Sequence, residues 1–422
     1  MDSTEPWNTF FAGRSTVFTP NMLKYQHRPK LMLVLVIPVL VLTLWFIRYP
    51  VNIPCRKVIP QQKDFTPTNL PTECPDVLRY MTSGHWNTRT LSSQEKKRMF
   101  DFRESTHARH AFPPNFQRKD GRCGNLTYEK VFFFRALCNP RGQTPCCFHN
   151  SCQMRSEEEC VCKDCFDLRK ERYAEYSTWV PSDLRCSYRE FSREDACELL
   201  KGSTVHFVGD SLIRHIYTAM LLVLTGDYDY GALVSSASDA TRKDCKGIYM
   251  FTEKFCRLSL SYDTKICGGK AKVVMKYLDY AHKGGEFVAH VKTIQSKSLL
   301  LVGIGIHNNF DVNLIDKQYF GPVLRELTQR NSTWPMLLWA NIHAPGLFKS
   351  PIMKGQGRDD FVRFNTNMEK FMGERNITVF NTFNLTDGMS SFDGTHYGMG
   401  VNVVKSNILL HYIAELRHKN LW

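Results

Sequence analysis

The spacing of apolar positions changes along the chain, and the changes mark its elements. Residues 203–208 (STVHFV) read as a strand; after Gly209-Asp210-Ser211 a helical spacing takes over at Leu212, Ile216, Ala219, Met220 and Val223. Further β-like runs fall at 272–278, 298–304, 336–341 and 376–381, and helical patterns at 313–330, 359–374 and 401–418. Strands that alternate with helices predict an α/β fold, a mostly parallel sheet covered on both faces, with ligands at the carboxyl ends of the strands. Residues 239–269, with Cys245, Cys256 and Cys267, read as a loop insertion stapled by disulfides.

The apolar pattern near the start has another character. Residues 31–47 form a run of 17 without a charge, near the lower limit for a membrane-spanning helix. The long basic leader before it and the absence of a small-residue cleavage pattern after it favour an uncleaved signal anchor over a signal peptide. Residues 1–30 read as a cytosolic tail, 31–47 as the anchor, 48–75 as a proline-rich stem, 76–197 as a cysteine-rich region and 198–422 as the chemical domain.

Cysteines and sequons orient that anchor. All 15 cysteines follow the apolar run, and so do the four N-glycosylation sequons at Asn125, Asn331, Asn376 and Asn384. This is the composition of an oxidising lumen, which makes disulfides the better reading of the dense stretch 138–165, although its CxCxxC piece would suggest zinc in the cytosol. Connectivity stays open, and an odd total leaves one thiol free or paired between chains. The charge of +14 is spread without a basic block; luminal placement argues against nucleic acid and leaves an acidic glycan as the partner that charge favours. The chain reads as a single-pass type II membrane protein.

Ser211 stands where a strand turns into a helix, so its hydroxyl is exposed at the sheet edge and the helix start favours developing negative charge. The structural alternative is a serine at a helix start. Near the carboxyl end, Ser391-Phe-Asp393-Gly-Thr-His396 follows the last strand. The spacing lets the Asp393 carboxylate hold the His396 imidazole while its other nitrogen faces a serine. Ser211 is not in a GxSxG elbow, which counts against an α/β-hydrolase. For an oxyanion, the Ser211 N–H is one donor, and the segment after the middle strand offers Gly303, Gly305, His307, Asn308 and Asn309, of which Asn308 or Asn309 is favoured. His343 either binds substrate or satisfies a loop carbonyl. No compact cluster of histidines and carboxylates suggests a metal, and no bound cofactor is expected.

GDSLIRH and Asp393-Gly-Thr-His396 resemble the GDS and DxxH blocks of SGNH-type esterases, in particular the PC-esterase group. That group includes the plant trichome-birefringence-like polysaccharide O-acetyltransferases, animal sialic-acid O-acetyltransferases and neurexophilin-related proteins. The approach WVPSDLRC followed by FVGDSL, and the Cys74…Gly84-His-Trp86 box, are similar to the plant enzymes, so the resemblance spans 74–422. It implies a three-layer α/β/α fold with Ser211 as nucleophile, His396 as base and Asp393 as its orienter. It also implies a glycine and an asparagine at the oxyanion; Gly231, with Gly226 as rival, stands for the glycine, and the asparagine block departs from the simple GxND form. The function so implied is a luminal serine-dependent O-acyltransferase, most simply O-acetyl, or an acyl esterase, acting on glycan hydroxyls in the Golgi or endoplasmic reticulum, with the cell surface as the other location. Acetyl-CoA is the donor the resemblance suggests. The alternative is a catalytically silent luminal or cell-surface binding protein that kept the fold, against which the intact serine, aspartate and histidine argue.

A peptide map without reduction checks the redox reading: the cysteines are expected mostly as disulfides, and fourteen alkylatable thiols would overturn both the framework and the luminal placement.

Overall fold

The computed structural model describes residues 74–422 except 109–111, 113–114, 253–255, 295–296, 331 and 354. The expected tail, the anchor at 31–47, nearly all of the stem, Cys55 and the sequon at Asn331 lie outside the described residues.

The centre is a six-stranded sheet of β1 (Thr204–Gly209), β2 (Asp263–Ile266), β3 (Ala271–Tyr277), β4 (Ser298–Gly303), β5 (Met336–Ala340) and β6 (Thr378–Phe380), in the order β6-β5-β4-β1-β3-β2. Five strands are parallel. The exception in this mostly parallel sheet is β2, which pairs antiparallel with β3 at the edge. It lies inside the segment read as a loop insertion, and its four residues DTKI are mostly polar, so no apolar run announces it.

Both faces of the sheet are buried, as parallel strands require. Alternation splits them: Val205, Phe207, Leu299, Leu301 and Leu338 enter one core, while Val208, Leu300, Val302 and Trp339 enter the other. The first core is covered by α2 (Ser211–Thr225) and α6 (Met399–His418); the second is covered by α3 (Gly284–Lys292), α4 (Gly321–Thr328) and α5 (Arg358–Gly373). The pattern at 313–330 resolves into a short helix, a π-turn at Asp316–Phe320 and α4. α2 is buried from Ser211 to Leu224, being apolar almost all round. Because β1 sends its helix to one face while β3 and β4 send theirs to the other, the chain parts at the carboxyl end of β1, where such sheets place their ligands.

The region before β1 belongs to the same compact unit as the sheet. Strands Gly84–Thr88 and Ser177–Pro181 pair antiparallel and set Trp86 opposite Trp179, with ring centroids 5.4 Å apart edge to face. Trp179 Nε1 donates to the Met81 carbonyl (2.7 Å) and Trp86 Nε1 to that of Leu385 (3.0 Å), so the two tryptophan boxes form one unit. Helix α1 (Ser93–Ala108) opens with a reciprocal cap between Ser92 and Glu95. Its Arg103 forms a buried ion pair with Glu171, whose carboxylate also accepts from the Ser390 hydroxyl (3.0 Å).

Fourteen cysteines form seven disulfides: 74–186, 123–147, 138–152, 146–160, 162–165, 197–267 and 245–256. Cys123, Cys138 and Cys152 gather closely enough to hold a metal ion, but each sulfur is bonded to another. Asn125, Asn376 and Asn384 are exposed. In the last sequon, Thr386 is fully buried, accepting from the Ala344 N–H (2.9 Å) and donating to the Phe383 carbonyl (2.7 Å).

The strand ends under the site are packed backbone on backbone. A Cβ on Gly209 would lie 2.1 Å from the Gly303 carbonyl oxygen, and the residue has φ +153°. Gly209→Ala is expected to lower stability by about 2 kcal/mol or more in denaturant unfolding, because two strands must separate to admit the methyl.

Candidate active site

Ser211 is the first residue of α2. Asp210 caps the helix through Oδ1, which accepts from the Leu212 N–H (2.9 Å). Since the first N–H groups of a helix have no partner within it, the backbone at Ser211 offers a donor where negative charge is favoured.

The segment 391–397 brings the second half of the site. Ser211 Oγ lies 2.7 Å from His396 Nε2, and His396 Nδ1 lies 2.6 Å from Asp393 Oδ2. Asp393 Oδ1 accepts from the backbone N–H groups of Thr395 (2.8 Å) and His396 (2.7 Å). Burial by itself would push the Asp393 carboxyl up, but the His396 charge and hydrogen bond together with the two backbone donors hold it well below the usual carboxylate range. An ionised Asp393 requires the proton on Nδ1, which leaves Nε2 to accept from the Ser211 hydroxyl.

The loop is seated from below by residues 343–349. His343 Nε2 donates to the Thr395 carbonyl (2.6 Å), the Lys349 amine to Thr395 Oγ1 (2.9 Å), Gly346 N–H to the Gly394 carbonyl (3.0 Å) and Tyr397 OH to the Ala344 carbonyl (2.9 Å). Gly394, at φ +83°, must be glycine, because a Cβ would meet the backbone of Phe348 and Lys349 within 2.5 Å. From above, the His396 ring lies parallel to Phe392 (centroids 6.0 Å) and 5.1 Å from His215. His215 is buried, and burial first, then the neighbouring Arg214 and His396, push its imidazole well below the ordinary value. It is therefore a neutral wall.

The remaining sequence candidates separate. Gly231 is not at the site: it follows the far end of the 15-residue α2, about 22 Å along the helix from Ser211, in a turn where its N–H bonds the Asp227 carbonyl. Gly226, its rival, is the left-handed C-cap of that helix. Gly305 lies on the right edge but serves the turn, its carbonyl accepting from Asn308 and Phe310 and its α-carbon facing Ile342 and Phe364. Asn308 is buried and spent, its Oδ1 accepting from the Ala281 N–H (2.6 Å) and its Nδ2 donating to the Asp279 carbonyl (3.0 Å). Asn309 is exposed on the edge in a left-handed turn. His343 satisfies a loop carbonyl, that of Thr395, the second of its two readings, and its Nδ1 faces the fully buried Lys405 amine at 3.0 Å. Burial lowers that amine to about 7. His215 and Lys405 were not singled out from the sequence; Lys405, a charge in an otherwise apolar helical stretch, was the available signal.

No protein-family model matches the chain, and no curated protein matches it. Among solved structures it is similar to Est24, a carbohydrate acetylesterase from Sinorhizobium meliloti, with 12% identity over 53% of this chain and 100% of that one, at a TM-score of 0.31. A member of the lipolytic protein G-D-S-L family from Veillonella parvula shows 10% identity over 51% and 97%, at 0.28. A putative arylesterase from Agrobacterium tumefaciens shows 13% over 52% and 99%, also at 0.28.

The lowered Asp393 carboxyl makes a prediction about stability. Its contribution is fully present above the ordinary carboxylate value of about 4 and is lost as pH falls through the lowered native value. In thermal unfolding between pH 2 and pH 8, Asp393→Asn is expected to be least stable relative to the parent at neutral pH, with the difference shrinking on acidification; a gap that widens in acid would contradict the assignment.

Proposed function

We propose that the chain is a serine-dependent acyl esterase or O-acyltransferase of SGNH type, close to the PC-esterase group, that moves acyl groups, most simply acetyl, on glycan hydroxyls. One observation carries the reading: the continuous hydrogen-bonded chain Ser211–His396–Asp393 at the carboxyl end of β1. The catalytic part works in the lumen of the Golgi or endoplasmic reticulum behind a single N-terminal anchor. Seven disulfides and three exposed sequons among the described residues support an oxidising compartment.

In the first half-reaction Ser211 Oγ attacks the acyl carbonyl carbon and its proton passes to His396 Nε2. The tetrahedral intermediate collapses as His396 returns that proton to the leaving atom, the sulfur of acetyl-CoA as its C–S bond breaks or the oxygen of an ester donor as its C–O bond breaks, leaving an acyl ester on Ser211. In the second half, a sugar hydroxyl or water gives its proton to His396 and attacks the ester; the tetrahedral species breaks and Ser211 takes the proton back. Asp393 keeps its negative charge throughout, fixing the imidazole and stabilising its charged form. Choice between sugar and water depends on excluding solvent and placing the acceptor. Two half-exposed rings on this edge, Tyr277 and Tyr280, offer faces for the C–H side of a sugar. Acetyl-CoA is the donor proposed, and the positive charge of the chain favours an acidic acceptor.

The test uses a fluorophosphonate probe on the protein, with the site mapped by mass spectrometry. Labelling is expected at Ser211, absent in Ser211→Ala and weakened in His396→Ala. A folded, disulfide-intact preparation that takes no label would overturn the reading in favour of a silent binding protein.

A further inference from the structure

The mechanism calls for a further donor to the oxyanion. Of the two asparagines that sequence pattern favours, Asn308 cannot be it, and Asn309 stands two residues past His307 in a left-handed turn, the rival that the test must separate. Asn308 is buried with its amide engaged on both sides, tying the turn after β4 to Ala281 and Asp279 beyond β3. This contact holds the segment Gly305-Ile306-His307-Asn308 in one position, closed by the Asn308 and Phe310 N–H groups on the Gly305 carbonyl (2.9 and 3.2 Å). His307 is what the turn presents instead. Its side chain is exposed at the carboxyl edge, with its ring 5.4 Å from Tyr280, which in turn stacks on His282 at 5.3 Å.

Two observations relate His307 to the reacting serine. First, β4 neighbours β1 in the sheet with Gly303 opposite Gly209, and the Asp210 N–H bonds the Gly303 carbonyl (3.3 Å). The two turns therefore leave the sheet side by side. Second, the buried carboxyl of Asp210, adjacent to Ser211, has Oδ2 without a hydrogen-bond partner. Burial pushes that carboxyl up, and the charges of His307 and His396 act against it, so both imidazoles lie within electrostatic reach of this one residue. His396 already faces Ser211 Oγ, and His215, the other imidazole near that pair, is buried against the Tyr397 carbonyl (3.4 Å), so His307 is the exposed imidazole on the turn that leaves the sheet next to the serine turn.

We propose that His307, in place of an asparagine amide, donates a ring N–H to the oxyanion that forms on the acyl carbonyl when Ser211 attacks. No proton is transferred; the donor and the backbone N–H at Ser211 together stabilise the charge. Asn308 is the positioning residue that fixes the turn. This inference rests on the acyl-serine reading.

Hydrolysis of p-nitrophenyl acetate by the full chain in detergent tests it, with Ser211→Ala as the blank and thermal unfolding as the check on folding. His307→Ala is expected to lower kcat by about 10²–10³-fold with KM within about twofold, the signature of a contact made in the transition state. His307→Asn is expected to recover much of that loss, since an amide N–H can also donate, while Asn309→Ala leaves kcat unchanged. An unchanged kcat in His307→Ala, an effect confined to KM, or a loss in Asn309→Ala in its place would overturn the assignment while leaving Ser211 as nucleophile. Turnover that survives in Ser211→Ala would instead sink the acyl-serine reading, and this inference with it.

Discussion

The site depends on the packing of α2 against α6. Ser211 opens the first helix and His396 stands three residues before the second, 185 positions away in sequence, yet their side chains meet at 2.7 Å. Both helices start from the carboxyl edge of the sheet and share one core, and the Ser406 hydroxyl on α6 donates to the Ile216 carbonyl on α2 (3.0 Å). Helices that begin together bring their N-terminal partial positive charges to the same place. Burial of apolar surface thus sets the distance between the two halves, and the same arrangement gives the edge a polarity suited to negative charge.

Around this pair, buried bases are kept uncharged to act as struts. His343 and His215 are both held neutral by burial, and each meets a carbonyl of the loop that carries His396: that of Thr395 for the first and that of Tyr397, at 3.4 Å, for the second. In the low dielectric there, a neutral imidazole with one donor and one acceptor fixes its tautomer through its partners. With Nε2 of His343 donating to Thr395, Nδ1 accepts from Lys405, and α6 is linked through that ring to the loop in front of it.

Much of this was legible because it is local. Ser211 lies at a change from strand to helix spacing, and Asp393 and His396 are three apart, so short-range pattern carried them. What pattern missed depends on partners far along the chain. Asn308 looks like a donor beside a glycine, and only the backbone at Asp279 and Ala281 shows that its amide is consumed. Gly231 follows α2 closely in sequence, but a straight helix carries it away from the site. β2 has no apolar run because it is an edge, and α3 begins with two glycines, of which Gly284 must pass the Gln318 backbone too closely for any Cβ. The Ser92–Glu95 cap of α1 was a readable signal that went unused.

The last sequon carries a constraint of timing. Its asparagine, Asn384, is exposed in the finished protein, but its threonine, Thr386, is sealed in the core with its hydroxyl bonded on both sides. A transferase that reads both residues in an open chain finds only one of them after folding. Any glycan on Asn384 must therefore be attached before the Thr386–Ala344 bond closes, whereas folding places no comparable deadline on a residue whose whole triplet stays at the surface.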